Sequence, residues 1–415
     1  MAGAAEAAEA VARRGYGKLV AFLAARTGDV AAAEDALADA FAAALADWPA
    51  AGIPHCPEAW LMAVARRRVI DTARRQRTRG EAADHLRLLA EELGETMDNA
   101  PIPDHRLALI FACAHPAIDP VIRAPLVLQT ILGLDAAAIA SAFLVSPATM
   151  GQRLVRAKAK IRQAGIPLRI PERPELPERL DSVLAAIYAA FAGGWLDATR
   201  RDLAEEALWL GRLVVALLPE EPEALGLLAL MLHAEARHPA RRDAEHSYIP
   251  LAEQDTSLWD SSMIEEAEAL LLRASALGML GRYQLEAAVQ SAHAARRLTG
   301  RTDWAAIEHL YQALSAITDS PVVAINRAIA IAETRGAEAG FAYLEALATD
   351  KRLEHYQPYW AARADLLAQL DEAVEADRAY LRAIGLEADP AVRAFLSRRR
   401  AQLQGHALTR VGNPG

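Results

Sequence analysis

The chain has 415 residues, 53% of them apolar and 6% aromatic, and its 45 Lys/Arg against 54 Asp/Glu give a formal net charge of −9. That length exceeds what one hydrophobic core supports, so more than one domain is expected. Period-two alternation is scarce, Cys56 and Cys113 have neither zinc nor disulfide spacing, and no apolar run nears the roughly 18 residues of a membrane span, which argues against a β protein, a disulfide-stapled fold and a membrane protein.

Much of the apolar share is alanine, which loses no side-chain entropy in a helix, so an all-α protein is expected. The opening MAGAAEAAEAVARRGYG carries two glutamates and no hydrophobic core segment, so it does not read as a secretory signal. A reducing, cytoplasmic setting is the expectation. The charge is unevenly spread: residues 1–165 sum to +1 and the remaining 250 to −10. Such segregation suggests a nucleic-acid-facing end and an acidic, solvated end.

Taken in order, the pattern predicts a helical domain over 10–80, a linker over 81–103, a second helical domain over 104–164, a proline-rich linker over 165–178 and a large helical domain over 179–402. In the first domain, residues 66–79 hold seven arginines in fourteen positions. As a helix, AWLMAVARRRVIDTARR sets Met62, Ala65, Val69 and Ala73 on one face and Arg67, Asp71 and Arg74 opposite. A solvated helix with local ion pairs accounts for one carboxylate and leaves most arginines in mutual repulsion. A phosphate backbone as partner removes that repulsion.

In the second domain, LDAAAIASAFLVSPATMGQRLVRAKAKIRQ reads as a helix-turn-helix. Ser146 is the expected N-cap with Pro147 at the first helical position, and Met150, Leu154, Ala157 and Ile161 form the buried stripe. Thr149, Gln152 and Arg153 are placed to reach base edges, and Arg156, Lys158, Lys160 and Arg162 to reach phosphates. An ordinary helical hairpin is the plainer alternative, but residues 150–163 hold five basic side chains and no acid.

The third domain keeps a helical period. Leu272, Ala276, Met279, Ala288, Ala292 and Ala295 share their spacing with Trp360, Ala364, Leu367, Ala376, Tyr380 and Ala383, and Ala328, Ile331, Leu344 and Leu347 fit part of it. That spacing suits tetratricopeptide-like (TPR-like) helix pairs of about 34 residues, stacked as a solenoid. Trp259 is expected to pack between helices and Asp260 to cap the next one.

The order of parts resembles the sigma-70 family, and within it the extracytoplasmic-function (ECF) group. AEDALADAF at 33–41, Trp48 and AWLMAVARRRVIDTARR are similar to region 2, and LVLQTILGLDAAAIASAFLVSPATMGQRLVRAKAKI to region 4. AEALWLGRLVVALLPEEPEALGLLALMLHAEAR, LWDSSMIEEAEALL and TDWAAIEHLYQAL resemble the subgroup with a C-terminal TPR-like extension. The resemblance implies a promoter-recognition factor, not an enzyme, without cofactor or metal. Its implied partners are core RNA polymerase (clamp helices and flap), promoter DNA and a protein or intramolecular partner for the extension.

By position, Glu34, Asp35, Asp39 and Phe41 match the polymerase-docking helix. Trp60, Arg66, Arg67, Ile70, Asp71, Arg74 and Arg75 fall on the helix that faces the −10 element, with PAAGIPHCPEAW before it to receive an unstacked base. Thr149, Gln152 and Arg153, followed by Arg156, Lys158 and Lys160, fall on the −35 reader. Two departures stand out: Arg67 where the pattern has Asn, and Ala38 where it has Gln. The competing expectation is a helix-turn-helix regulator or TPR adaptor that works without polymerase. His233, His238 and His246 lack the i, i+4 spacing of paired ligands.

Overall fold

The computed structural model describes residues 2–76, 104–143, 145–196 and 201–411. The protein is all-α; among the described residues the one β-type pairing is an isolated antiparallel bridge between Arg242 and Tyr248. The chain forms two compact units, Met1–Val214 and Val215–Gly415.

The first unit starts with α1 (Ala2–Thr27), α2 (Val30–Ala51) and α3 (Pro57–Gln76), which pack on one another. Asp29 starts α2 by accepting the Ala32 N–H at 3.1 Å, and Gly28 makes the preceding turn at φ 65°. The buried stripe of α2, Val30, Ala33, Leu37, Ala40, Ala44 and Trp48, is mostly small, which lets α1 and α3 approach closely. Next come α4 (Arg106–Cys113), buried throughout, α5 (Pro120–Leu132), α6 (Ala136–Ala142) and α7 (Pro147–Gln163). Gly133 ends α5 in the left-handed region at φ 64°.

The proline-rich stretch breaks the helix as expected, with irregular backbone and a 3₁₀ turn at Arg173–Glu175. It does not separate compact units. Ile166 and Leu176 are buried along it, and α8 (Pro177–Leu196) packs on α5. The unit break falls instead within α9 (Arg201–Leu217). Arg106 holds α9 by an ion pair with Glu206 and by stacking 3.8 Å from the Trp209 ring centroid.

In the second unit α10 (Pro222–Ala236) is buried on all sides except at Glu223. Around it lie α11 (Ser261–Ala276) and α12 (Arg282–Ala294), each packed chiefly on α10 and lightly on the other. Gly226 makes this possible, because a methyl group there would lie 2.6 Å from the Gln284 backbone nitrogen. Asp260 caps α11 through the Ser262 and Met263 N–H groups, and Trp259 is buried, both as expected.

The chain continues through α13 (Arg296–Thr299), α14 (Trp304–Ile317), α15 (Pro321–Arg335), α16 (Ala337–Glu345), α17 (Gln357–Gln369), α18 (Ala373–Leu386) and α19 (Pro390–Val411). Here the helices do pair in sequence, α15 with α16 and α17 with α18. The repeat register holds at eight positions in this part: Ala364, Leu367, Ala376, Tyr380, Ala383, Ala328, Ile331 and Leu344 are buried, while Trp360 and Leu347 are half-buried. For the earlier stretch it must be corrected. Leu272 is 74% and Met279 62% exposed, and the buried residues of α11 are Ile264, Ala267, Leu270 and Ala274. The reason is that α11 and α12 both turn toward α10 and do not form a hairpin core of their own.

A loop leaving α10 crosses to the end of this unit. Asp243 closes its turn by accepting the Ser247 N–H at 2.8 Å, Arg242 pairs with Asp389 at 2.5 Å, and the Tyr248 ring meets Phe395 edge-on at 5.5 Å. Tyr248 and Phe395, with Ile329 and Ala361, line a cavity of about 360 Å³.

Candidate nucleic-acid interface

Helix α3 buries Leu61, Met62 and Ala65 completely, so the opposite side of the turn must face outward. Arg67, Arg68 and Asp71 are exposed there, with Trp60, Arg66, Val69 and Ile70 half-buried at the margins. Arg68 reaches Asp39 of α2 at 3.8 Å between two exposed side chains. Arg66 has its pKa lowered, first by burial and then by Arg26 beside it. Arg26, whose guanidinium lies 4.8 Å from the Phe22 ring centroid, therefore extends the cationic surface. The sequence reading missed it because it belongs to α1, forty positions before Arg66. Arg74 and Arg75 continue α3, but their side chains lie outside the described residues.

Before α3, Trp48 and Trp60 meet edge to face at 5.5 Å and 66°. Trp48 is buried and Trp60 is half-buried, so the pair anchors the loop at 52–56. That loop exposes Ile53 and Cys56.

Helix α7 opens as expected. The Ser146 hydroxyl accepts the Thr149 N–H at 3.2 Å and donates to the Thr149 hydroxyl at 2.8 Å. Met150, Leu154, Ala157 and Ile161 are buried. Thr149, Gln152, Arg153, Arg156 and Lys160 stand exposed on the other side.

Lys158 differs from that set. It faces α2, half-buried, and its Nζ meets Glu34 Oε2 at 2.5 Å. One turn on, Arg162 meets Asp29 Oδ2 at 3.0 Å. What sets position 158 apart from the exposed row is Glu34 of α2, which lies on its side of the buried stripe.

Of the acidic residues singled out on α2, Asp35 and Asp39 are exposed and Phe41 is half-buried. Glu34 is largely covered, its side chain 12% exposed. Burial raises its carboxyl pKa against the lowering effect of Lys158, and its Oε1 has no hydrogen-bond partner. The Tyr16 hydroxyl beside it is pushed up by burial, by Glu34 and by Asp35. Cys113 is buried against the Thr130 hydroxyl with its thiol pushed up to about 12, which keeps it protonated and unreactive.

Among the described residues no group of three His, Cys, Asp or Glu side chains could hold a metal ion. His233 is buried in α10, where loss of water lowers its pKa to about 4; Glu268, 3.5 Å away but open to solvent, does not offset this. No described helix is long and apolar enough to cross a membrane.

Residues 11–79 match the model of Sigma-70 region 2, the segment that contains α2 and the cationic face of α3. Residues 179–275 match a family of unknown function, DUF6596, which takes in α8 to α11. No solved structure matches the chain. An uncharacterized protein, R00370 of Rhizobium meliloti (strain 1021), is 40% identical over 375 residues, 88% of each chain. The protein belongs to one family with that rhizobial chain, and its N-terminal domain is a sigma-70 region 2.

Proposed function

We propose that this protein is an RNA polymerase sigma factor of the extracytoplasmic-function type. In this reading the 10–80 domain docks core polymerase through Glu34, Asp35, Asp39 and Phe41. It then holds the melting −10 element with Trp60, Arg66, Arg67, Ile70, Asp71, Arg74 and Arg75. The observation that carries the reading is that the segment matching Sigma-70 region 2 bears an outward arginine face on a helix whose other side is fixed in the core by Leu61, Met62 and Ala65. Cations held on such a scaffold supply counterion release and stacking planes for an opened strand.

The 104–164 domain then acts as the −35 reader. A capped helix with Thr149, Gln152, Arg153, Arg156 and Lys160 exposed in one row supports this, since Gln and Arg make the common two-pronged contacts with adenine and guanine. The helices after residue 179 serve as a TPR-like partner-binding or regulatory domain, supported by the sequential pairing of α15 with α16 and α17 with α18. The chain works in the cytoplasm beside the polymerase and catalyses nothing alone.

Run-off transcription with purified core polymerase tests the proposal. Initiation from a defined promoter is expected only when the full chain is added. DNA binding without initiation would favour a free-standing helix-turn-helix regulator, and no association with core polymerase would end the sigma reading.

A further inference from the structure

Where the second unit closes on itself it keeps a cavity. The walls come from four separate parts of the chain: Tyr248 of the loop after α10, Ile329 and Glu333 of α15, Asp365 and Leu366 of α17, and Phe395 of α19. Its volume of about 360 Å³ falls at the lower end of the range that small-molecule sites occupy, about 300–1,000 Å³. A closure that served packing alone would fill such a space with side chains, because protein interiors are close-packed.

The lining is sorted by polarity. Ile329, Leu366 and Phe395 supply apolar wall, whereas Glu333 and Asp365 are acidic, and no described residue that lines the cavity is basic. The two carboxylates are not equivalent. Asp365 is already engaged, one oxygen accepting from the Arg399 guanidinium and the other from the Gln369 amide at 2.9 Å. Glu333 is exposed at the edge, and among the described residues it has no ion-pair partner. It also lies in the last turn of α15, where the unpaired carbonyls of a helix end favour positive charge.

We propose that this cavity binds a small organic cation, a protonated amine on an apolar body, with Glu333 taking the ammonium group and Ile329, Leu366 and Phe395 the body. Such a ligand keeps its charge at the wet edge and buries only its apolar part, so neither portion is left without a favourable surrounding. An anion would meet two carboxylates. The site lies wholly within the second unit and owes nothing to the sigma reading. Because Tyr248 and Phe395 both border it, an occupant would also tie the loop after α10 to α19 and stabilise the unit.

Calorimetric titration of the full chain with tryptamine, tryptophol and indole-3-acetate tests the site, since the three probes share one ring system and differ in charge. Tryptamine should bind about 10-fold more tightly than the neutral alcohol and raise the midpoint of thermal unfolding, and the acetate should not bind. Glu333→Gln, at an exposed position, should bring the affinity for the amine down to that for the alcohol and leave the alcohol unchanged. Ala361→Phe, which fills the cavity, should abolish both.

Failure of all three probes to bind at millimolar concentration overturns the site. So does amine binding that survives Ala361→Phe in a chain with unchanged helical circular dichroism, because it then occurs elsewhere on an acidic surface. Equal affinity for amine and alcohol, or an amine affinity unaltered by Glu333→Gln, overturns the cation. Should Ala361→Phe fail to fold, Glu333→Gln decides the matter alone.

Discussion

Helices α3 and α7 are built alike and used differently. Each buries one narrow apolar row and carries a dense set of cations. On α3 the exposed Arg67 and Arg68 point outward, with Asp39 as a loose neighbour at 3.8 Å. On α7 the set is divided: Arg153, Arg156 and Lys160 face outward, while Lys158 and Arg162 grip α2. Local charge density is a property of a short stretch. Whether that charge is available to a partner is decided by carboxylates 124 and 133 positions away.

The contrast can be broken from the inside out. The largest effect is expected from Leu154→Ala, which empties a site only 1% exposed and should cost about 2–5 kcal/mol in urea denaturation. Val155→Ala, one position on and 65% exposed, should stay within about 0.5 kcal/mol. Next, Arg153→Ala should lose about 1–3 kcal/mol of discrimination at a single base pair in competition binding. Arg67→Ala should weaken all sequences alike and reduce the salt slope by about 1. A smaller loss, about 1 kcal/mol, is expected for Ser146→Ala, which removes the cap of α7 and leaves α3 untouched.

The finest test uses pH. Burial raises the pKa of Glu34, so the native state takes up its proton before the unfolded chain does. Ionised Glu34 therefore weakens the fold above its native pKa, and stability is regained as pH falls through that value toward the ordinary carboxylate range. The stability of the wild type relative to Glu34→Gln should rise as pH is lowered from 7 to 5. A difference that stays flat or falls would show that the Lys158 pair outweighs desolvation.

Short-range features were legible in the sequence. The Ser146 and Asp260 caps, the buried stripe of α7 and the outward arginines of α3 follow from side-chain spacing alone. What depends on a distant partner was not. The spacing at Leu272 and Met279 matches that at Trp360 and Leu367, yet the first two are exposed, because α10 draws α11 and α12 to itself. Likewise, the prolines of 166–179 stop the helix but do not free the chain, since Ile166 and Leu176 are buried along the way. Nothing local distinguishes Lys158 from Lys160; only the position of Glu34 does.

The loop from α10 that reaches Asp389 and Phe395 changes how the second unit should come apart. An open array of helix pairs frays from its free end, each pair melting nearly alone. Here the far end is tied back to the start by the Arg242 ion pair and the Tyr248 ring, which joins the first helix of the unit to its last. Such a ring of contacts has no loose end, so its terminal helices should exchange amide hydrogens at rates closer to those of its middle than a linear stack allows.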